Sequence, residues 1–272
     1  MALAGVLLVP AVGSAQISCT TEGLKAAADL YIDAQAKGPA RLTRTTGTTG
    51  LQVHLADLPV SVRMSYVENF EMIYGGRMID RPLKMDRELS LLDRERCETF
   101  TEGLVSDKAG PFALGARLKL KNDRVDEMET IWSAPGYRGF DIDGYTKSSA
   151  AEDWSPVRLG ERDSRATLER VANAYLDALV AGKATVMPWG MPCERAAADG
   201  SCRVGVPVGT VNIANRHFVV DETLGAVAVL CTLGADPTSG RVRAADAHVF
   251  RVEGGKVRFV HAVTHWADGG RD

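Results

Sequence analysis

A chain of 272 residues with 45% apolar and 25% charged side chains and a formal charge of −3 has the composition of an ordinary globular protein. Such a charge creates no field that would recruit phosphate backbones or anionic lipid, so nucleic acid and membrane surfaces are excluded as expected partners. The length can bury one large core or two modest ones.

In chain order, Met1 to Ala15 is an apolar run closing on Val12-Gly13-Ser14-Ala15, the small-residue pattern that precedes signal-peptidase cleavage. No Lys or Arg precedes Lys25, so the positive region of a leader is missing and a hydrophobic N-terminal strand stays open as the alternative. No other segment approaches the roughly 18 apolar residues of a membrane helix. The expectation is an exported, periplasmic or secreted, soluble protein with residues 1–15 as signal peptide. Export makes cysteine pairing favourable. Cys193 and Cys202 flank a Gly/Ala-rich loop that a bridge would hold, and a Cys19 to Cys97 link would staple the first helix to its sheet. Cys231, in the apolar strand Val227 to Cys231, reads as a buried free thiol. Metal binding competes for these cysteines, but the chain has no CxxC and no helical HxxxH.

The first helix starts after Thr20-Thr21-Glu22, a Thr cap with an acid in the first turn, and its inward stripe is Leu24, Ala27, Ala28, Tyr31, Ala34 and Gln35. A Thr/Gly/Arg-rich connection over 39–60 is predicted to hold a short helix near Leu51 to Leu58. Strand arms follow at Val62 to Ile73 and Met78 to Met85, then a meander of Arg96 to Ser106, Phe112 to Lys121 and Arg124 to Trp132. Ala134 to Glu161 lacks sustained periodicity and reads as a linker whose aromatics (Tyr137, Phe140, Tyr145, Trp154) need a surface to cover, as a lid would.

The second helix opens at Asp163-Ser164-Arg165, and the prolines of Met187 to Cys193 argue against regular pairing there. Strands are predicted at Arg216 to Asp221, Ala226 to Leu233, Ala245 to Glu253 and Lys256 to Trp266, with Gly254-Gly255 as a hairpin turn. The chain repeats itself. Leu24 to Gly38 aligns without a gap on Leu168 to Gly182, and each helix is followed by a strand-rich stretch, a duplicated helix-then-sheet unit. The division is a first unit over 16–134, a linker or lid over 135–162 and a second unit over 163–272. A curved sheet closed by a helix leaves a cavity, so the duplication predicts a chain that encloses small molecules.

Helix followed by long strands in a curved sheet resembles the nuclear transport factor 2-like (NTF2-like, SnoaL-like, cystatin-like) α+β fold, a cone with a pocket between helix and sheet. The segments Cys19-Thr20-Thr21-Glu22-Gly23-Leu24, Tyr66-Val67-Glu68-Asn69-Phe70, Ser90-Leu91-Leu92-Asp93, Glu152-Asp153-Trp154-Ser155-Pro156, Pro188-Trp189-Gly190-Met191-Pro192-Cys193, Cys202-Arg203-Val204-Gly205-Val206-Pro207 and Phe250-Arg251-Val252-Glu253-Gly254-Gly255-Lys256 are similar to an uncharacterised family of secreted fungal and bacterial proteins. That likeness covers almost the whole mature chain and includes four cysteine positions; His265 departs from it. The wider fold hosts ketosteroid isomerases, polyketide cyclases, dehydratases, limonene epoxide hydrolase and cofactor-free lyases that release formaldehyde from lignin-derived dimers, and fold alone does not choose among them.

Alternation puts Phe259, His261, Val263 and His265 on one face of the last strand. A neutral His261 lining a cavity would serve as a proton acceptor, and the repeat places Glu129 at the corresponding point of the first unit. His217, Val219 and Asp221 share one face of their strand and Arg216 the other. Asp221 is the candidate to orient a histidine, and Arg216 to steady an oxyanion. A packed-sheet histidine, a solvated Glu and a structural Arg–carboxylate pair explain the same residues without function. With no phosphate loop, nucleophile elbow or zinc motif, neither cofactor nor metal is expected. Two functions follow. One is a cofactor-independent lyase or isomerase acting on a hydrophobic, aromatic small molecule, for instance by retro-aldol loss of formaldehyde. The other is a non-catalytic ligand-binding or assembly module, with pairing to a second copy plausible for any exposed sheet face.

Overall fold

The computed structural model describes residues 17–38, 41–44, 51–55, 57–72, 78, 81–108, 110–137, 141–181, 189–196, 212–234 and 244–267. The leader expected over 1–15, Phe140, Cys202 and the Cys193 side chain lie outside them, and with these the expected Cys193 to Cys202 bridge.

Helix α1 (Thr21–Lys37) starts where Thr20 accepts the Gly23 N–H at 3.1 Å and stops at Gly38, whose φ of 99° suits glycine. It buries the stripe that the spacing predicts, together with Gly23 and Ala26. Strands β1 (Arg41–Arg44) and β2 (Leu51–His54) form a small ladder where a short helix was expected. The expected first arm divides into β3 (Val60–Glu68) and β4 (Glu71–Met72), because Asn69 and Phe70 turn with φ of 52° and 62°. Next come β5 (Lys84–Asp93), β6 (Glu98–Asp107), β7 (Gly110–Lys121) and β8 (Arg124–Ser133), in a sheet of order β4-β3-β8-β7-β6-β5.

The linker carries a helix of its own, α2 (Ile142–Ala150), capped by Asp141, which accepts the Asp143 and Gly144 N–H groups. Helix α3 (Arg165–Ala181) leads into β9 (Trp189–Ala196), β10 (Ile213–Asp221), β11 (Ala226–Leu233), β12 (Ala244–Glu253) and β13 (Lys256–Trp266), in the order β10-β11-β12-β13-β9. The prolines did not prevent β9. It lies at the sheet margin, and Pro192 falls in the register break between Val257↔Trp189 and Phe259↔Glu194, where no ladder hydrogen bond is needed from it.

Both sheets follow one plan, a meander whose last strand pairs in parallel with the unit's earlier strand: β3 with β8, β9 with β13. The final hairpins match as well, Asn122-Asp123 and Gly254-Gly255 all having positive φ, as a two-residue turn requires. Alternation gives β11 two apolar faces. On β11, Val227, Val229, Cys231 and Leu233 meet α3, while Ala226, Ala228 and Leu230 meet the other sheet. Tyr31 and Ala34 of α1 pack on Ala116, Leu118 and Met128 of the first sheet. The layers therefore run helix, sheet, sheet, helix. Besides the cores under the two helices there is a third, between the sheets, where Phe100, Leu104, Ala113 and Ile131 interlock with Val219, Ala228, Leu230, Ala247, Val249 and Val263.

This stacking has a near two-fold character. Asp93 ends β5 and accepts the Val220 N–H at 2.9 Å; Asp221 ends β10 and accepts the Leu92 N–H at 3.0 Å. Each aspartate also caps its own turn, through Arg96 N–H or through Thr223 and Leu224 N–H. Reciprocal contacts of one patch with its own copy are the mark of an isologous interface, here built within a single chain. The expected staple is present: Cys19 and Cys97 form a disulfide with Cα atoms 4.8 Å apart, tying the start of α1 to the β5–β6 turn. Cys231 is a buried free thiol.

Candidate functional site

His261 stands in the middle of β13 on the face turned to the first sheet, and three separate parts of the chain close over it. Its Nδ1 lies 2.7 Å from Glu102 Oε2 on β6, and its Nε2 lies 2.6 Å from Glu152 Oε2 in the linker beyond α2. Both carboxylate side chains are buried. An ionised carboxylate only accepts, so with both acids ionised the two contacts put an N–H on each ring nitrogen, which is an imidazolium. Burial alone would lower the imidazole pKa, but Glu102 and then Glu152 overcome it and raise it to about 10.

Aromatic side chains complete the walls. Trp154 donates its Nε1–H to Glu152 Oε2 at 2.9 Å, with its ring 5.3 Å from the imidazole and 5.7 Å from Phe259. Tyr145 of α2 is fully buried 5.3 Å from the same ring; burial and then Glu102, which holds its hydroxyl, push its pKa well up. Arg87 of β5 donates to the Ser149 carbonyl and so pins the end of α2 to the sheet edge. Beside these groups is a cavity of about 190 Å³, lined by Arg87, Glu88, Leu89, Glu102, Tyr145, Glu152, Trp154 and His261. Of the linker aromatics expected to cover a surface, Tyr145 and Trp154 cover the His261 site, while Tyr137 packs against Trp132 and His265. The cavity lies between the sheets and the linker, whereas the space between α3 and its sheet is filled by Tyr175, Leu176, Val229 and Phe250.

Two polar atoms of the residues lining this cavity are left over, Oε1 of Glu102 and Oε1 of Glu152. Glu152 Oε2 takes both the His261 and the Trp154 contacts, while its Oε1 is buried with no hydrogen-bond partner. A buried acceptor without a donor costs about 1–3 kcal/mol. The imidazolium, by contrast, has no lone pair free for a metal or cofactor.

The other sequence candidates do not join His261. Asp221 is three strands away in the sheet, roughly 14 Å at ~4.8 Å per strand, and is committed to the Leu92, Thr223 and Leu224 N–H groups. Burial raises its pKa against those bonds. It orients a turn and the opposite sheet; it does not orient the histidine. Arg216 faces α3, bonded to Asn173 at 2.6 Å and Asp177 at 2.7 Å, on the opposite side of the sheet from His261, so the two cannot share a pocket. His217 pairs with Glu98 at 2.8 Å across the sheet interface. Arg117 also holds Glu98, and although burial opposes ionisation, His217 and Arg117 bring that carboxyl down to about 2.

Matching the two sheets through their bulges places Glu129, opposite Arg117, where His261 stands opposite Val249. Glu129 pairs with buried Arg117 at 3.2 Å, and the hollow beside it, lined by Val67, Phe70, Ile131 and Leu230, has no room for a water molecule. Only the His261 copy of the site carries a cavity among these two. Glu102, Glu152 and Arg87 escaped sequence reasoning, and Tyr145 and Trp154 entered it only as aromatics in need of a surface. One signal for Glu102 was present: it alternates with Phe100 and Leu104, an acid on the apolar face of a strand.

A model of a domain family of unknown function (DUF8021) matches residues 161–264. No curated protein and no solved structure matches the chain. The matched segment spans α3 to β13 and contains His261, Asp221, Arg216 and His217, whereas Glu102, Tyr145, Glu152 and Trp154 lie before it.

Proposed function

We propose that this chain is an exported protein of two tandem NTF2-like units that binds a small molecule bearing hydrogen-bond donors in the cavity under its linker. Support for the fold comes from the shared strand order and the parallel pairing of β3 with β8 and β9 with β13. Support for export comes from the Cys19–Cys97 disulfide, a bond that persists in oxidising compartments. The observation that carries the ligand reading is the pair of unpartnered, buried Oε1 atoms of Glu102 and Glu152, two residues that line that cavity. At about 190 Å³ the space is below the ~300 Å³ of drug-sized sites, so the occupant is a single ring or smaller and the lignin-type dimer is too large.

The test uses short diols, primary amines and single-ring benzyl alcohols as probes, titrated into the full chain by calorimetry. One class binds the wild type, and Glu152→Gln, which turns the free acceptor into an N–H donor while its amide oxygen keeps the His261 contact, weakens it at least tenfold. A wild type that binds none of them, or a variant that binds equally well, overturns the reading.

Acid–base lyase or isomerase chemistry is the second reading, with the proton acceptor moved from His261 to Glu152. An imidazolium bonded at both nitrogens accepts no proton, while Glu152 Oε1 has no hydrogen-bond partner. Exchange of deuterium from heavy water into a carbon position of the bound probe, lost in Glu152→Gln, supports this reading. Binding without exchange leaves the non-catalytic one.

A further inference from the structure

On the opposite face of the second sheet, away from the cavity, three buried side chains of different chemistry converge. Cys231 on β11 stands directly across the ladder from Asp246 on β12, and His248 follows Asp246 on the same face. All three are at most 3% exposed, and one donor atom from each lies within 4.8 Å of the others. His248 Nδ1 is 3.0 Å from Asp246 Oδ2, yet neither of its ring nitrogens makes a hydrogen bond. Nε2 has neither a hydrogen bond nor an ion pair, and a buried imidazole nitrogen left so is a costly arrangement that native proteins resolve with a partner.

We propose that Cys231, Asp246 and His248 are a zinc site. Thiolate, imidazole and carboxylate are the donors that suit this borderline ion, whereas Ca²⁺ and Mg²⁺ require oxygen throughout. Charge agrees with burial. Zinc with one thiolate, one carboxylate and a neutral imidazole is neutral overall, and the Cys231 proton leaves to solvent as the ion enters. The surroundings fix the donors: Thr264 Oγ1 donates to Asp246 Oδ1 at 2.8 Å, and the His248 ring lies between Phe250, stacked at 5.8 Å, and Tyr175 at 5.6 Å. Oriented carboxylates and clamped imidazoles are what second-layer contacts provide around such ions. Three protein donors leave a fourth position for water or another ligand. A scan for CxxC or helical HxxxH misses this set because strand pairing, and no short spacing, brings Cys231 to Asp246.

The test is made on the full chain with its disulfide intact, refolded with Co²⁺ as the probe and then challenged with Zn²⁺. The wild type takes up one cobalt with a thiolate-to-cobalt charge-transfer band, and zinc displaces it. Cys231→Ser abolishes that band, and His248→Ala weakens binding at least tenfold. A wild type that refolds without the band, or a Cys231→Ser protein that keeps it, overturns the proposal. The wild-type spectrum decides the matter even if a variant fails to fold.

Discussion

His261 owes its chemistry to two residues distant in sequence, Glu102 and Glu152, and this defines what changes at that position do. With the carboxylates in place the ring is charged, and its folded pKa of about 10 stands above the ordinary 6.5. A raised pKa means that the folded state holds its proton more tightly than the unfolded chain. The resulting stability is fully present below about pH 6.5 and is lost as pH rises through about 10. Urea unfolding of wild type and His261→Gln between pH 6 and 10.5 should therefore give a gap that narrows as pH rises; a gap that widens contradicts the assignment. Removing one acid is the complementary change. Glu102→Leu leaves the buried imidazolium one partner short and should cost about 3–5 kcal/mol, read from the same urea curves.

At the level of elements, the strands carry the pairings that hold the sheets in register. Asp93 and Asp221 each satisfy a backbone N–H of the opposite sheet, so Asp221→Ala should cost about 1–3 kcal/mol by orphaning the Leu92 N–H. Asp93→Ala should cost more, because Asp93 also holds Arg165. Equilibrium unfolding of each variant measures this, and a loss below about 0.5 kcal/mol for either would mean that the cross-sheet bond does not form. Much at this level was legible in the residues. β11 and β13 run over the residues that alternation marks, and β7, β8 and β12 differ by a residue or two at their ends. The two-residue turns supply their own signal in positive-φ residues. β5 was missed because Lys84 to Glu88 alternates charged with half-buried residues and has no apolar face until Leu91. Helix α2 was missed because Ile142 to Ala150 is short and rich in Ser and Gly; what holds it is Tyr145 buried between the sheets and Arg87 gripping its last turn. Proline near β9 misled because an edge strand in parallel pairing tolerates it.

For the whole molecule, the repeat in the sequence announced two units but not that they would cover each other. The apolar faces expected to be free for a second copy meet within the chain, with Phe100, Ala113 and Ile131 on one side and Val219, Leu230 and Val249 on the other. Residues 161–272 expressed alone should therefore self-associate through that face, while the full chain unfolds in one cooperative transition; sedimentation of the fragment checks this, and a well-behaved monomer would contradict it. The same stacking explains why the site was half legible. His261 could be picked out by its strand face, but the acids that set its charge come from the other sheet and the linker, at separations no local pattern reports. The account stands on those three groups meeting between the layers. Nitrogen-detected NMR of the His261 ring at pH 8 tests it most directly. The account predicts a proton on both ring nitrogens; a single protonated nitrogen, with the ring titrating near 6.5, would contradict it.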